Sequence, residues 1–231
     1  MKLDKLTDSP MGGTKRRYDD ACAATHAMDI IGERWALPVM RELMMGPRRF
    51  GELRRSLPAL SANVLTQRLE GLEAAGIVEK RKLPPPASVQ VYGLTPWGQE
   101  AGPVFQMLGR WAARSPSHDP TRPFSPVSLM LSLRTMIDMS RAGDVVARIG
   151  FRIGEEDFFL TLDHGMIDIG RGLPEQPDLV FTGATHAVAS AIYAGATLDD
   201  LITEGALAIE GNRSLAERFT TLFPMPTKVG S

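Results

Sequence analysis

The sequence predicts an α+β protein of two domains, and three features of the chain support this prediction. Its 231 residues are more than one small domain needs. Residues 1–118 contain 17 Lys and Arg against 12 Asp and Glu, whereas residues 119–231 contain 9 against 15, so a basic half precedes an acidic half. Four prolines between residues 115 and 126 separate the two halves and predict a stiff linker.

We therefore expect a mobile arm over residues 1–18, a first domain over 19–114, a linker over 115–125 and a second domain over 126–231. The positive charge of the first domain favours contact with negatively charged nucleic acid. The chain has no apolar run near the roughly 18 residues of a membrane span, and its start lacks the apolar stretch of a signal peptide. Cys22 is the single cysteine, which is typical of a reducing compartment. We expect a cytoplasmic protein that does not contact a membrane.

The first domain is predicted to contain several helices and one β-hairpin. We expect helices over 21–31, 35–45, 50–57, 61–75 and 96–113, and strands over 77–82 and 89–94. Pro38 removes a backbone donor early in the second helix, so that helix should bend or start late. The hairpin tip, residues 83–88, contains three prolines and cannot pair as a central strand. Helices followed by a basic hairpin are the order of a winged helix-turn-helix, in which one helix enters the major groove of DNA and the hairpin lies along the backbone.

The fourth helix is the one predicted to read the DNA sequence. Its leucines recur at the spacing that turns one stripe of a helix towards a core, and polar side chains occupy the opposite face. Asn and Gln can bond adenine edges with two hydrogen bonds, and Thr can contact a thymine methyl group. Ser61 is predicted to cap the start of this helix and Gly76 to end it. The residues predicted to contact bases are Asn63, Thr66 and Gln67.

Basic side chains precede and follow this helix. Positive charge at these two places would neutralise phosphates and fix the register on DNA, although a solvated surface has the same composition. Arg68 lies beside the leucine stripe, so we expect it to form an ion pair or clamp a phosphate. The residues predicted to contact the DNA backbone are Arg48, Arg49, Arg54, Arg55, Ser61, Lys80, Arg81 and Lys82.

Several motifs of the first domain resemble the HxlR family of bacterial transcriptional regulators. In chain order they are Cys22 and the runs 29–35 (DIIGERW), 48–53 (RRFGEL), 65–69 (LTQRL), 73–78 (EAAGIV) and 92–95 (YGLT). The resemblance covers residues 19–113. It implies a homodimer that binds a roughly palindromic operator in double-stranded DNA, with dimer contacts from the first and last helices. The last helix carries an apolar stripe that suits helix packing, made of Ala101, Val104, Phe105, Leu108, Trp111 and Ala112.

Cys22 matches a cysteine with which some members of this family sense oxidants or electrophiles. The chain contains no second cysteine, so only a Cys22–Cys22 bridge between subunits or a disulfide with a small thiol is open to it. We interpret Cys22 as a small buried hydrophobic residue and keep redox sensing as the alternative.

The second domain is predicted to be a mixed α/β layer. We expect helices over 126–141, 186–193, 198–203 and 214–223, and strands over 145–153, 158–162, 166–169, 179–182 and 207–210. Three stretches, 147–153, 177–183 and 205–223, resemble the sterol-carrier-protein type of lipid-binding fold. That resemblance implies an apolar tunnel and, as its ligand, a fatty acid or other apolar small molecule.

Apolar residues of the second domain exceed what strand alternation requires, and we interpret eight of them as the lining of this pocket. The same residues are also what a plain core would contain. The predicted pocket residues are Met130, Leu133, Ile137, Phe151, Phe158, Phe181, Ile192 and Tyr193. The acidic run 155–157 is expected to keep this domain away from DNA.

The sequence predicts no catalytic residues, no metal site and no cofactor. Its four histidines are scattered, and no Gly-rich phosphate loop or nucleophile motif is present. We therefore predict a dimeric transcriptional regulator that responds to an apolar small-molecule effector. One alternative is a carrier of a lipid or acyl ligand, against which the basic helix and hairpin argue. Another is a regulator whose second domain only strengthens the dimer, which the absence of a co-purified apolar ligand would favour.

Overall fold

The computed structural model of the protein describes residues 18–230, so the predicted arm lies outside the described residues except for Tyr18. The first half consists of helices and one hairpin, in the predicted order. The helices are α1 (Ala23–Ile31), α2 (Ala36–Leu43), α3 (Phe50–Ser56), α4 (Ala62–Ala74), α5 (Pro96–Glu100) and α6 (Gly102–Ala113). The strands are β1 (Val78–Lys82) and β2 (Gln90–Leu94).

The core of the first half forms where the leucine stripe of α4 meets α2. Leu65, Leu69 and Leu72 are all buried, as their spacing predicts, and lie in one cluster with Val39 and Leu43 of α2. Each leucine removed from water in this way contributes about 1.5–3 kcal/mol to folding. The polar face of α4 is left on the surface as a consequence.

Two helix boundaries follow from prolines. Helix α2 starts late, as predicted: Trp35 has the uncommon φ of 78°, and Pro38 falls in the first turn, where its missing N–H is not needed. The single helix predicted over 96–113 is wrong, because it divides at Ala101 into α5 and α6. Pro103 lacks the N–H that a continuous helix would donate to the carbonyl of Gln99.

The hairpin is extended by a short third segment. Strands β1 and β2 pair antiparallel from Val78 opposite Leu94 to Lys82 opposite Gln90. Arg48, just before α3, exchanges two backbone hydrogen bonds of 2.8 Å with Tyr92 of β2. These two hydrogen bonds fix the position of the hairpin beside the start of α3.

The second half is a five-stranded mixed sheet with helices packed against it. Its helices are α7 (Pro126–Met136), α8 (Met139–Ala142), α9 (Thr185–Tyr193), α10 (Leu198–Thr203) and α11 (Arg213–Thr220). Its strands are β3 (Val146–Ile153), β4 (Glu156–Asp163), β5 (Met166–Arg171), β6 (Leu179–Gly183) and β7 (Leu207–Gly211). The strand order is β5-β4-β3-β6-β7, in which only the β3–β6 pair is parallel.

One predicted element of this half is wrong. The helix expected over 126–141 breaks after Met136, because Ile137 is extended and the carboxylate of Asp138 accepts hydrogen bonds from the backbone of Ser140 and Arg141. An aspartate in that position starts a new helix.

Aromatic residues fill the core between the sheet and its helices. Phe151 and Phe181 stack with ring centroids 5.6 Å apart, and Phe219 of α11 meets Phe223 edge-on at 4.9 Å. All four are fully buried. Apolar burial of this kind fixes α11 on the sheet.

The two halves pack against each other. Helices α2 and α6 of the first half contact α7 of the second. The end of the chain returns to the segment after α6, where the backbone N–H of Val229 donates to the carbonyl of Arg114 at 2.8 Å. Among residues 18–230, no helix is long and apolar enough to cross a membrane.

Candidate nucleic-acid interface and the central cleft

Helix α4 presents the side chains that are predicted to contact bases. Ser61 caps the helix, as predicted, by accepting a hydrogen bond of 3.3 Å from the backbone of Val64. Asn63, Thr66 and Gln67 are all exposed. Thr66 donates its hydroxyl proton to the carbonyl of Ala62 at 3.1 Å. In the described part of the chain, the amides of Asn63 and Gln67 have no hydrogen-bond partner, so their donors and acceptors are available to a ligand.

Most of the residues predicted to contact the DNA backbone lie on the surface near α4. Lys80 forms a 3.4 Å ion pair with Glu73, and Arg81 a 3.6 Å pair with Glu79. Exposed pairs of this kind contribute at most about 1 kcal/mol, so a phosphate can displace them. The exposed basic residues of the set are Arg49, Arg54, Arg55, Lys80, Arg81 and Lys82.

Arg48 differs from this set because it is buried. Its position contradicts the prediction that it contacts the DNA backbone. Only 7% of the residue is exposed, because its guanidinium turns inward to the carboxylates of Glu156 and, at 3.7 Å, Glu52. Arg68 forms an ion pair, one of its two predicted roles, with Glu33 at 2.9 Å.

The contact of Arg48 belongs to a network that joins the two halves, which we call the latch. Glu156 at the start of β4 accepts hydrogen bonds from both Arg48 and Arg171, and Arg171 also donates to the carbonyl of Met45 at 3.1 Å. Burial by itself would raise the pKa of Glu156, but the hydrogen bonds and charges of the two arginines outweigh it and lower that pKa. Glu156 is therefore ionised at neutral pH, and its carboxylate binds Arg48 of the first half. Glu156 of the acidic run 155–157 thus also joins the two halves, while the expectation that the run keeps this domain away from DNA stays a prediction.

A second polar contact joins the halves at α2 and α7. Glu42 of α2 is 0% exposed and accepts hydrogen bonds from Arg41 at 2.8 Å and Ser125 at 2.6 Å. Ser125 in turn caps α7 by accepting from the backbone of Ser128 at 3.1 Å. The start of α7 is therefore joined to α2 through a buried carboxylate.

Both halves also line an open cleft of about 480 Å³, which we call the central cleft. Its walls come from α2, α6, the segment before α7, α7 itself and Tyr193 at the end of α9. The hydroxyls of Ser132 and Tyr193 lie 2.7 Å apart in this wall, and burial raises the pKa of Tyr193 well above its ordinary value.

The predicted pocket residues occupy two different places. Tyr193 lines the central cleft. The other seven are buried in the core cluster of the second half: Met130, Leu133, Ile137, Phe151, Phe158, Phe181 and Ile192. Sequence reasoning missed the cleft because its walls are contributed by segments from both halves.

Cys22 is exposed, so its interpretation as a buried hydrophobic residue is wrong. It lies at the start of α1, in which no residue is fully buried, so no core is available to enclose it. Hydrogen bonds from the backbone and side chain of Thr25 lower the pKa of the Cys22 thiol. Within residues 18–230, no group of three or more metal-ligating side chains occurs.

Helix α6 has an apolar face that the rest of the described chain does not cover. Val104, Met107, Leu108 and Trp111 follow the spacing of one helix stripe, and Met107 and Trp111 are 76% and 72% exposed. Phe105 of the predicted stripe points elsewhere and packs against the first core.

Comparison with known proteins identifies the first half. The family model described as HxlR-like helix-turn-helix matches residues 30–119. The HTH-type transcriptional regulator YvaP of Bacillus subtilis strain 168 is 38% identical over 87 residues, which are 37% of this chain and 80% of that protein. The chain belongs to the family of HxlR-like helix-turn-helix proteins.

The HxlR-family chain has other relatives of the same type. The HTH-type transcriptional regulator YodB, also of Bacillus subtilis, is 37% identical over 86 residues, or 37% of this chain and 77% of that protein. A structure of reduced YodB is 34% identical, covers 42% of this chain and 98% of that one, and has a TM-score of 0.39. These relatives are named as regulators rather than enzymes, and the HxlR-family chain is a helix-turn-helix transcriptional regulator.

The second half of the HxlR-family chain matches a different model. Residues 116–228 are similar to the family described as alkyl sulfatase C-terminal. Matches to YvaP and YodB cover only 37% of the chain, so they give no information on what this half does.

Proposed function

We propose that this regulator binds operator DNA as a homodimer, with α4 in the major groove and the β1–β2 hairpin along the phosphate backbone. The observation that carries the proposal is the exposed face of α4. Asn63 and Gln67 have free amides there, while Leu65 and Leu69 anchor the opposite face in a core. A rigid helix with free amide groups on one side suits the reading of base edges.

The homodimer is supported by the apolar stripe of α6. Contiguous exposed apolar patches on a soluble protein often mark a protein–protein interface. A protein that reads a two-fold symmetric operator needs a two-fold axis of its own. We propose that the stripe packs against the same stripe of a second copy, together with residues of α1 such as Met28, which is also exposed.

We further propose that the second half is a ligand-binding domain of the sterol-carrier type and that ligand binding changes operator affinity. The latch and the contact of Glu42 with Ser125 support this coupling. Both involve segments that hold the DNA-binding helices, so a shift of α7 would reach the spacing of the two copies of α4.

The base-reading role is tested by replacing Asn63 and Gln67 with alanine. Each substitution should cost about 1–3 kcal/mol at the operator, because the bidentate contacts are lost, and should blur sequence preference. Operator affinity and footprints are measured for the full chain, with Gln176→Ala as a control, since Gln176 is an exposed glutamine in the second half. An unchanged footprint after both substitutions would show that α4 does not read the bases.

A further inference from the structure

The central cleft has walls of two kinds. Its apolar surface comes from both halves and includes Leu37, Phe105, Leu108, Phe124, Leu131 and Met225. Its volume of about 480 Å³ lies within the range of roughly 300–1,000 Å³ that small-molecule sites occupy. The polar groups of the wall include the hydroxyls of Ser128, Ser132 and Tyr193.

The charged residues of the cleft are mostly cationic. Arg41, Arg122 and Arg134 line it, against the single carboxylate of Asp119. Arg41 is already bound to Glu42 at 2.8 Å, and Arg122 lies 3.5 Å from Asp119. Arg41 and Arg122 therefore already have carboxylate partners, whereas Arg134 has no ion pair within 4 Å among the described residues.

Arg134 has no hydrogen bond and no ion pair within 4 Å to any residue from 18 to 230. Its Nε is shielded from solvent and has no partner. Burial lowers the pKa of Arg134, which the more distant charge of Asp168 only partly opposes. An arginine held in this way is stabilised by an anion that supplies the missing hydrogen bonds.

We propose that the central cleft is the effector site and that it binds an amphipathic organic anion, with an acidic head group at Arg134 and an apolar chain against α6 and α7. This inference deepens the proposed ligand response and rests on it. The sequence predicted a pocket in what is the core of the second half, where seven of the predicted pocket residues are buried. The site proposed here lies instead at the boundary between the halves.

The cationic interior favours a small anion over a second copy of the chain as the occupant. The exposed stripe of α6 is apolar and offers Arg134 no acceptor. Because α2 and α6 form one side of the cleft and α7 another, a ligand would contact both halves at once. Binding there would act directly on the contacts through which α7 meets the DNA-binding half.

The test uses the full chain without DNA and compares decanoate with 1-decanol, which has the same chain length and no charge. Calorimetric titration should show that decanoate binds on the order of tenfold more tightly than decanol, since a charge-assisted hydrogen bond is worth more than a neutral one. Arg134→Gln should remove this preference and leave decanol binding unchanged.

A second variant tests the place of binding by filling the cleft. Gly109 lines the cleft, and a Cβ atom built on it meets no atom within 4 Å. Gly109→Leu should therefore fold and block both ligands. Gly71→Leu is the matched control, because Gly71 is also an exposed helical glycine with open space around it, and it should bind both ligands normally.

Two outcomes would show that the cleft is not an anion site: decanoate and decanol bind the unaltered chain equally well, or decanoate still binds Gly109→Leu. A third outcome, a dimer that dissociates as decanoate binds, would identify a second copy of the chain as the natural occupant of the cleft. Each of the three would overturn the inference. Operator affinity is measured on the same samples. Loss of decanoate binding with intact operator binding contradicts only the effector site, whereas absent operator binding with normal decanoate binding contradicts only the proposed regulator.

Discussion

Arg48 and Arg49 are adjacent in the chain and have different surroundings. Arg48 is buried against Glu156, whereas Arg49 is exposed and donates its backbone N–H, at 2.7 Å, to Glu52. The backbone at Arg48 pairs with Tyr92 and directs its side chain to the second half. The two arginines should consequently have different roles.

Replacing each of these arginines by glutamine separates the roles. Arg49→Gln should weaken binding to all DNA sequences alike and reduce the slope of log affinity against log salt by about 1, because one phosphate contact is lost. Arg48→Gln should instead lower the stability of the fold. Salt titrations of DNA binding and thermal unfolding measure the two effects, and identical behaviour of both variants would contradict the assignment.

Glu156 is predicted to contribute to stability through the latch. Glu156→Gln leaves Arg48 and Arg171 without their shared carboxylate and should lower the free energy of unfolding by about 1–3 kcal/mol. The pKa of Glu156 is lowered in the folded protein, so this stability is present above the unfolded pKa of roughly 4.3 and is lost as the pH falls through the folded pKa. Denaturation of the variant and of Glu155→Gln, its exposed neighbour, should differ at neutral pH and converge in acid.

Helix α6 shows how one element serves two surfaces. Phe105 packs into the first core, and Leu108 and Ala112 line the central cleft. Val104, Met107 and Trp111 point into solvent. The periodicity of the sequence predicted an apolar stripe, but it did not separate the side chains that face the chain's own core from those left for a partner.

The dimer should depend on the solvent-facing part of α6. Val104→Glu places a charge in the proposed interface, where its desolvation is costly, and should convert the dimer into a monomer in sedimentation at micromolar concentration. Val146→Glu is a matched control, because Val146 is also an exposed valine and lies on β3 of the second half. A dimer that persists in Val104→Glu would move the interface away from α6.

At the scale of the whole molecule, the two halves are connected by charged contacts and by shared walls of the central cleft. Glu156 and Ser125 each bond a residue of the first half, so separation of the halves would break both hydrogen-bonded contacts. The proposed coupling between ligand and operator would pass through these contacts.

Ligand and operator should therefore affect each other's binding by the same factor. We expect decanoate to change operator affinity, and operator DNA to change decanoate affinity, by a common factor of about 5–150. Titrations of decanoate with and without operator DNA, and of operator DNA with and without decanoate, measure this factor. Equal operator affinity with and without bound decanoate would leave the second half as a carrier or a dimer clamp.

The sequence by itself determined the features that depend on neighbours along the chain. The leucine stripe of α4, its cap at Ser61 and the order of strands and helices follow from local periodicity and local hydrogen bonding. The break of the last helix at Ala101 was missed although its cause, Pro103, is visible in the sequence. The exposure of Cys22 was missed because burial depends on whether another element covers α1.

Only the tertiary structure decided which side chains meet across the two halves. Arg48 and Glu156 are 108 positions apart, and Ser125 and Glu42 are 83 apart. Their pairing depends on how the halves pack, which no periodicity in the sequence encodes. The same packing creates the central cleft and leaves the Nε of Arg134, in its wall, without a hydrogen-bond partner among residues 18–230. A site whose walls come from both halves exists only once those halves have docked, because neither contains it alone.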